Sequence, residues 1–116
     1  MSRYAFLIQA EPAALSSHRH AWQLAQALLA AGHEIPLLFF TGSSVALALA
    51  SNDPPAQEWD PASAWRSLDI GGLVLCSSAA QRLGITDATI CPGFRLGGLG
   101  EWVSIADDVD KVIQWR

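Results

Sequence analysis

The feature that most restricts the fold is a strand–helix–strand unit in the first third of the chain. Tyr4 to Gln9 is an apolar, strand-like run, broken by Glu11-Pro12. Ala21, Leu24, Ala25 and Leu28 then recur at i, i+3, i+4 and i+7, one packed face of a helix. Ser16 and Ser17 are candidate N-caps, and Gly32 is a C-cap signal that ends the helix at about Ala31. A second strand follows at Glu34-Ile35-Pro36-Leu37-Leu38-Phe39-Phe40. Pro36 has no N–H for a ladder, so it belongs at the strand's beginning or on an edge. The short connections imply parallel strands and a right-handed crossover.

The alternation continues along the chain. Thr41-Gly42-Ser43-Ser44 is a turn, Val45 to Ala50 a short helix, and Ser51 to Trp59, with Asn52-Asp53-Pro54-Pro55, an exposed loop. Asp60-Pro61 restarts a helix, Asp as N-cap and Pro in its first position, with Trp65 and Leu68 on the buried side. Leu73 to Leu75 is a buried strand. Ile85 to Leu96 reads as irregular. Gly97-Gly98-Leu99-Gly100 leads into a helix with Leu99, Trp102, Val103 and Ala106 on one face. It ends near Asp107 and Asp108, which oppose the dipole at a helix C-terminus. Lys111 to Trp115 is a last strand. With no repeat or internal boundary, residues 1–116 read as one domain: an α/β fold, a three-layer α/β/α sandwich around a mostly parallel sheet of about five strands.

Composition removes several function classes. The formal net charge is −4 and no basic cluster is present, which argues against direct nucleic-acid binding. No apolar run approaches the roughly 18–20 residues of a membrane span, and the start of the chain reads as a strand rather than a signal peptide. Two cysteines without an export signal point to a reducing, cytoplasmic setting. Two cysteines and three histidines without ligand spacing make no metal site. No Walker motif or dinucleotide fingerprint calls for a cofactor; Gly97 to Gly100 lacks the lysine and preceding strand of a P-loop and reads as a tight turn. The chain is 51% hydrophobic with five tryptophans, and mean hydropathy is +0.24. That is high for a small domain and points to apolar surface buried against other subunits, with Trp22, Trp59, Trp65, Trp102 and Trp115 as contributors wherever they are not core.

The chemistry-bearing candidate is Cys76. It follows the Leu73–Leu75 strand and precedes two helix-capping serines, Ser77 and Ser78, and a run of helix formers ending at Gly84. A cysteine at a strand-to-helix junction meets unpaired N–H groups and the positive end of the helix, which favour a thiolate. In a parallel sheet that junction is also the functional edge. The plain alternative is a small buried residue ending a strand. His18, Arg19 and His20 lie on the same edge and read as solvated surface, with a role in steering anionic sulfur as the alternative. His33 follows a helix end on the wrong edge and reads as structural. Cys91 reads as a bystander, or as a resolving partner for an oxidised Cys76.

The chain resembles the DsrE-like sulfur-relay family along nearly its whole length. The resemblance runs through Tyr4–Gln9, Leu24-Ala25-Gln26-Ala27-Leu28, Gly32-His33-Glu34, Leu38-Phe39-Phe40 and Ala64-Trp65. It continues through Leu75-Cys76 with Ala79-Ala80 and Arg82, then Gly93-Phe94-Arg95-Leu96 and Gly98-Leu99-Gly100. It implies a sulfurtransferase in which Cys76 accepts a persulfide sulfur from a small TusA-like donor and passes it to a TusE-like carrier. It also implies assembly with TusB-like and TusC-like subunits into a heterohexamer, serving 2-thiouridine formation at the tRNA wobble position without holding the tRNA. Two departures stand out: the chain is slightly shorter around Gly84–Gly93, and it carries Cys91 there. The remaining alternatives are a redox dithiol protein using Cys76 and Cys91, and a structural subunit of such an assembly.

Overall fold

Two adjacent phenylalanines define the layers. In the computed structural model, which describes residues 1–55 and 57–116, Phe39 meets Trp102 at 5.7 Å between ring centroids, and Phe40 meets Trp65 at 6.5 Å. Successive residues of a strand point to opposite faces, so the helices carrying Trp102 and Trp65 cover opposite sides of one sheet.

The elements run β1 (Arg3–Ile8), α1 (Leu15–Ala30), β2 (Glu34–Phe40), a 3₁₀ helix (Gly42–Ala48), α2 (Pro61–Arg66), β3 (Leu73–Cys76) and α3 (Ser77–Arg82). They continue with a short 3₁₀ turn (Asp87–Thr89), β4 (Phe94–Gly97), α4 (Leu99–Asp108) and β5 (Lys111–Trp115). The sheet order is β4-β3-β2-β1-β5, and every pairing is parallel. From β1 to β4 each strand lies beside its predecessor in one direction. The step from β4 to β5 returns past the whole sheet. Right-handed crossovers then put α4 on the face opposite the earlier helices. This is the expected three-layer α/β/α sandwich.

The core lies mainly on the α1–α2 side, where Phe6, Phe40, Trp65, Ala21 and Ala25 are fully buried. β2, with strands on both sides, buries Ile35 and Leu37 to Phe40. It reads as a continuous apolar run for that reason. Gly71 donates its N–H to the Ile35 carbonyl and passes so close to Pro36 that a Cβ would lie 2.5 Å from the Pro36 oxygen. Only glycine fits there.

Several expectations change. Phe94–Gly97, read as irregular, is the edge strand β4; its four residues before a Gly-Gly turn are too few for a periodic signal. The first helix starts at Leu15 with Ala14 in the cap position and no side-chain cap, so Ser16 and Ser17 are inside the helix. The expected Val45–Ala50 helix is a 3₁₀ helix over Gly42–Ala48. Asp60 does cap α2, accepting from the Ala62 and Ser63 N–H groups. α4 ends at Asp108, whose carboxylate and carbonyl both accept from Arg3 Nη1, offsetting the unfavourable charge at the helix end. Of the expected α4 face only part is packed: Trp102 meets Phe39, whereas Leu99 and Val103 are 57% and 61% exposed.

Candidate functional site

β3 delivers Cys76 to the carboxyl end of the sheet. Cys76 occupies the cap position of α3 with extended backbone, φ −59° and ψ 117°. Ser77 and Ser78 are therefore the first helical residues, not caps, and both are exposed. Their N–H groups belong to the first turn, which has no intrahelical acceptors. α3 is only six residues long, so its contribution is these local N–H groups rather than a long macrodipole. Cys76 is a free cysteine and, as a residue, 4% exposed.

The register of β3 with β4 defines what stands beside it. Val74 pairs with Arg95 and Cys76 with Gly97. By strand alternation these four positions form two rows on the α4 face of the sheet. A Cβ on Gly97 would lie 2.6 Å from Val74 Cγ1, 2.6 Å from Glu101 Oε1 and 3.6 Å from Arg95 Nη1. A side chain at this position would have to displace those of Val74 and Glu101. The space a side chain would fill is taken by an ion pair: Arg95 Nη1 donates to Glu101 Oε1 at 2.8 Å and Nη2 to Oε2, a two-pronged contact. Hydrogen bonding from Arg95 holds the Glu101 carboxyl below its usual range, and Glu101 raises the guanidinium in turn. Sequence reasoning missed this pair. Its only signal was two opposite charges flanking a Gly-Gly turn, unreadable until β4 is known to be a strand.

The other candidate residues go elsewhere. His18 is not solvated surface but fully buried; its Nε2 lies 3.0 Å from both the Ala10 and Glu11 carbonyls, so that nitrogen carries the proton and clamps the loop after β1. Burial pushes its pKa down, against the two backbone bonds that raise it. Arg19 stacks over Trp59 at 5.7 Å, and His20 Nδ1 accepts from Trp115 Nε1 at 3.5 Å. None of the three is directed to Cys76. His33, at the other end of the sheet, accepts from the Ser2 N–H and packs edge-on against Tyr4, as a structural residue.

Cys91 is half-buried and free. Its N–H donates to the Ala48 carbonyl, and its own carbonyl accepts from Phe94, which pairs with Leu73. The register ties it to the end of β3 opposite Cys76. A cleft of about 370 Å³ between the β1–α1 loop and the start of α2 is lined by Pro12, Leu15, Trp59 and Pro61 among others, not by Cys76. Among the described residues no group of His, Cys, Asp and Glu could hold a metal ion, and no helix is long and apolar enough to cross a membrane.

Comparison with known proteins agrees with this architecture. Residues 2–115 match the model of the DsrE/DsrF-like family. A Klebsiella pneumoniae (strain 342) protein named Sulfurtransferase TusD is 38% identical over 109 residues, 82% of this chain and 85% of the relative. A Salmonella paratyphi B protein of the same name is 32% identical over 127 aligned positions, 97% of this chain and 99% of the relative. The crystal structure of the E. coli ychN protein superposes with a TM-score of 0.80 at 20% identity, covering 99% of this chain and all of the other; at that identity it speaks for the fold. A five-stranded parallel sheet with one helix alone on its far face, matched end to end by the family pattern, makes this chain a member of the DsrE/DsrF-like family.

Proposed function

We propose that this chain is a TusD-type sulfurtransferase subunit of a cytoplasmic sulfur relay and that Cys76 is its sulfur carrier. The carrying observation is the place of Cys76: a free thiol at the carboxyl end of a parallel strand, before the open N–H groups of Ser77 and Ser78. The sulfurtransferase class comes from the curated relatives. The Cys76 thiolate attacks the outer sulfur of a donor persulfide. A Cys76 Sγ–S bond forms, the donor S–S bond breaks, and its electron pair leaves on the donor thiolate, with no net oxidation. The same exchange in the other direction loads the next carrier. The chain's role is 2-thiouridine formation at the tRNA wobble position, with a TusA-like donor and a TusE-like acceptor.

Assembly with TusB-like and TusC-like subunits fits the surface. Leu99 and Val103 of α4 and Val112 of β5 are 57%, 61% and 46% exposed, a cost in water that a subunit interface removes. The tryptophans contribute less than the sequence suggested. Trp65 is core, Trp102 packs on Phe39, Trp115 on Phe6, and Trp22 on Trp59.

The 4% exposure of Cys76 favours a second reading, a structural subunit with an inert thiol. Replacing the chromosomal gene with Cys76→Ala separates the two. The carrier reading expects loss of the thiolated base with the complex still assembled; unchanged thiolation supports the structural one. A dithiol role for Cys76 and Cys91 requires an intramolecular disulfide in non-reducing peptide maps after mild oxidation.

A further inference from the structure

We propose that the cleft at the amino end of β3, the end remote from Cys76, is an oxyanion site that takes a phosphate group. The cleft is about 460 Å³ and lies beside the edge strand β4. Leu73 pairs with Phe94, so Gly72 and Gly93 stand just before paired positions on neighbouring strands. Two arginines reach these glycines. A Cβ on Gly93 would lie 3.1 Å from Arg66 Cδ, and one on Gly72 would lie 3.4 Å from Arg95 Nη2. All four residues line the cleft, and no acidic residue lines it among those described.

The donors suit a phosphate. A guanidinium has five N–H groups in a fixed fork that matches phosphate oxygens. Arg66 gives one from Nε to the Ala62 carbonyl and one from Nη2 to Ser63 Oγ, which holds it against the end of α2 and leaves three. Among the described residues Arg66 meets no carboxylate. Arg95 gives two to Glu101 and also keeps three. The backbone adds to the set: the Gly72 and Gly93 N–H groups have no acceptor among the described residues. Without a Cβ at either position an anion can approach that backbone closely. Asp69, in the segment before the two glycines, lines a neighbouring cleft with His33 and Glu34. The half-buried Leu68 and Ile70 complete the wall and suit the organic part of an ester. Both arginines are exposed, so binding is weak and salt-sensitive.

The test follows the Gly72 and Gly93 amide signals of the isotope-labelled full chain by NMR. Inorganic phosphate or phenyl phosphate is added at constant ionic strength. Both signals should shift and saturate. Arg66→Gln should weaken binding about five-fold. Arg95→Gln should weaken it less, because Glu101 already holds part of that guanidinium. Arg66→Lys, which keeps the charge and loses the fork, should fall between wild type and Arg66→Gln. A dispersed spectrum shows that each variant is folded. Tighter binding of phenyl phosphate assigns the group to an organic ester that covers Leu68 and Ile70. Equal affinity assigns it to the free ion, and either result supports the site. No saturable shift, or unchanged affinity in the folded arginine variants, would overturn it. The measurement does not involve Cys76, so it stands or falls apart from the relay reading.

Discussion

The two faces of the sheet differ in what covers them. The α1–α2 face is closed by Trp65 against Phe6 and Phe40 and by the small residues Ala21 and Ala25, all fully buried. The other face has one ten-residue helix, α4, a charged pair above Gly97, and exposed Leu99, Val103 and Val112. The first is where burial stabilises the monomer. The second is incompletely buried and carries the row that contains Cys76. The difference teaches that the densest packing and the proposed sulfur carrier lie on opposite sides of a single sheet.

Substitution on the closed face should have the largest effect. Trp65→Ala should cost about 3–5 kcal/mol in chemical denaturation, because a fully buried indole between two phenylalanines leaves a cavity. An equally large loss in Trp102→Ala would erase the contrast between the faces; about half is expected for that half-buried ring. Next comes Gly97→Ala, which forces a Cβ into Val74 and Glu101 and should lower stability by about 1–3 kcal/mol. It should also disturb Cys76 reactivity, which Gly98→Ala, with open space around it, should not.

How far these faces were readable in advance depended on the length of the signal. α1, sixteen residues with a repeating Ala/Leu face, was read nearly to its ends, and β2 to the residue, because its apolar run reflects burial on both sides. β4 was lost because four residues alternating Phe94, Arg95, Leu96, Gly97 carry too little period. With it went the Cys76–Gly97 row and the Arg95–Glu101 pair. Cys76 was visible because its position needs only the strand before it and the helix after it. His18 was misread as surface because its burial depends on the Ala10–Glu11 carbonyls folding over it, a tertiary event without a local sequence mark.

A smaller effect belongs to His18. Its pKa in the folded chain is lowered by burial, so the unfolded chain takes up a proton more readily. The contribution is fully present above the unfolded value, about 6.5, and is lost as pH falls from there towards the folded value. The melting temperature of the wild-type chain should fall over that window more steeply than that of His18→Gln. Parallel curves would remove the buried histidine from the account. The smallest stability effect is expected at Val103→Asp on the open face, within about 0.5 kcal/mol for the isolated chain. The same change should abolish co-elution with TusB-like and TusC-like subunits, and an intact complex would argue that α4 is not at the interface.

The most direct measurement is the mass of the Cys76 peptide after incubation with a cysteine desulfurase and a TusA-like donor. The account predicts one added sulfur on Cys76, removed by reductant and absent in Cys76→Ser. An unmodified Cys76 under conditions where the donor itself is loaded, or an equal yield of adduct in Cys76→Ser, would contradict it.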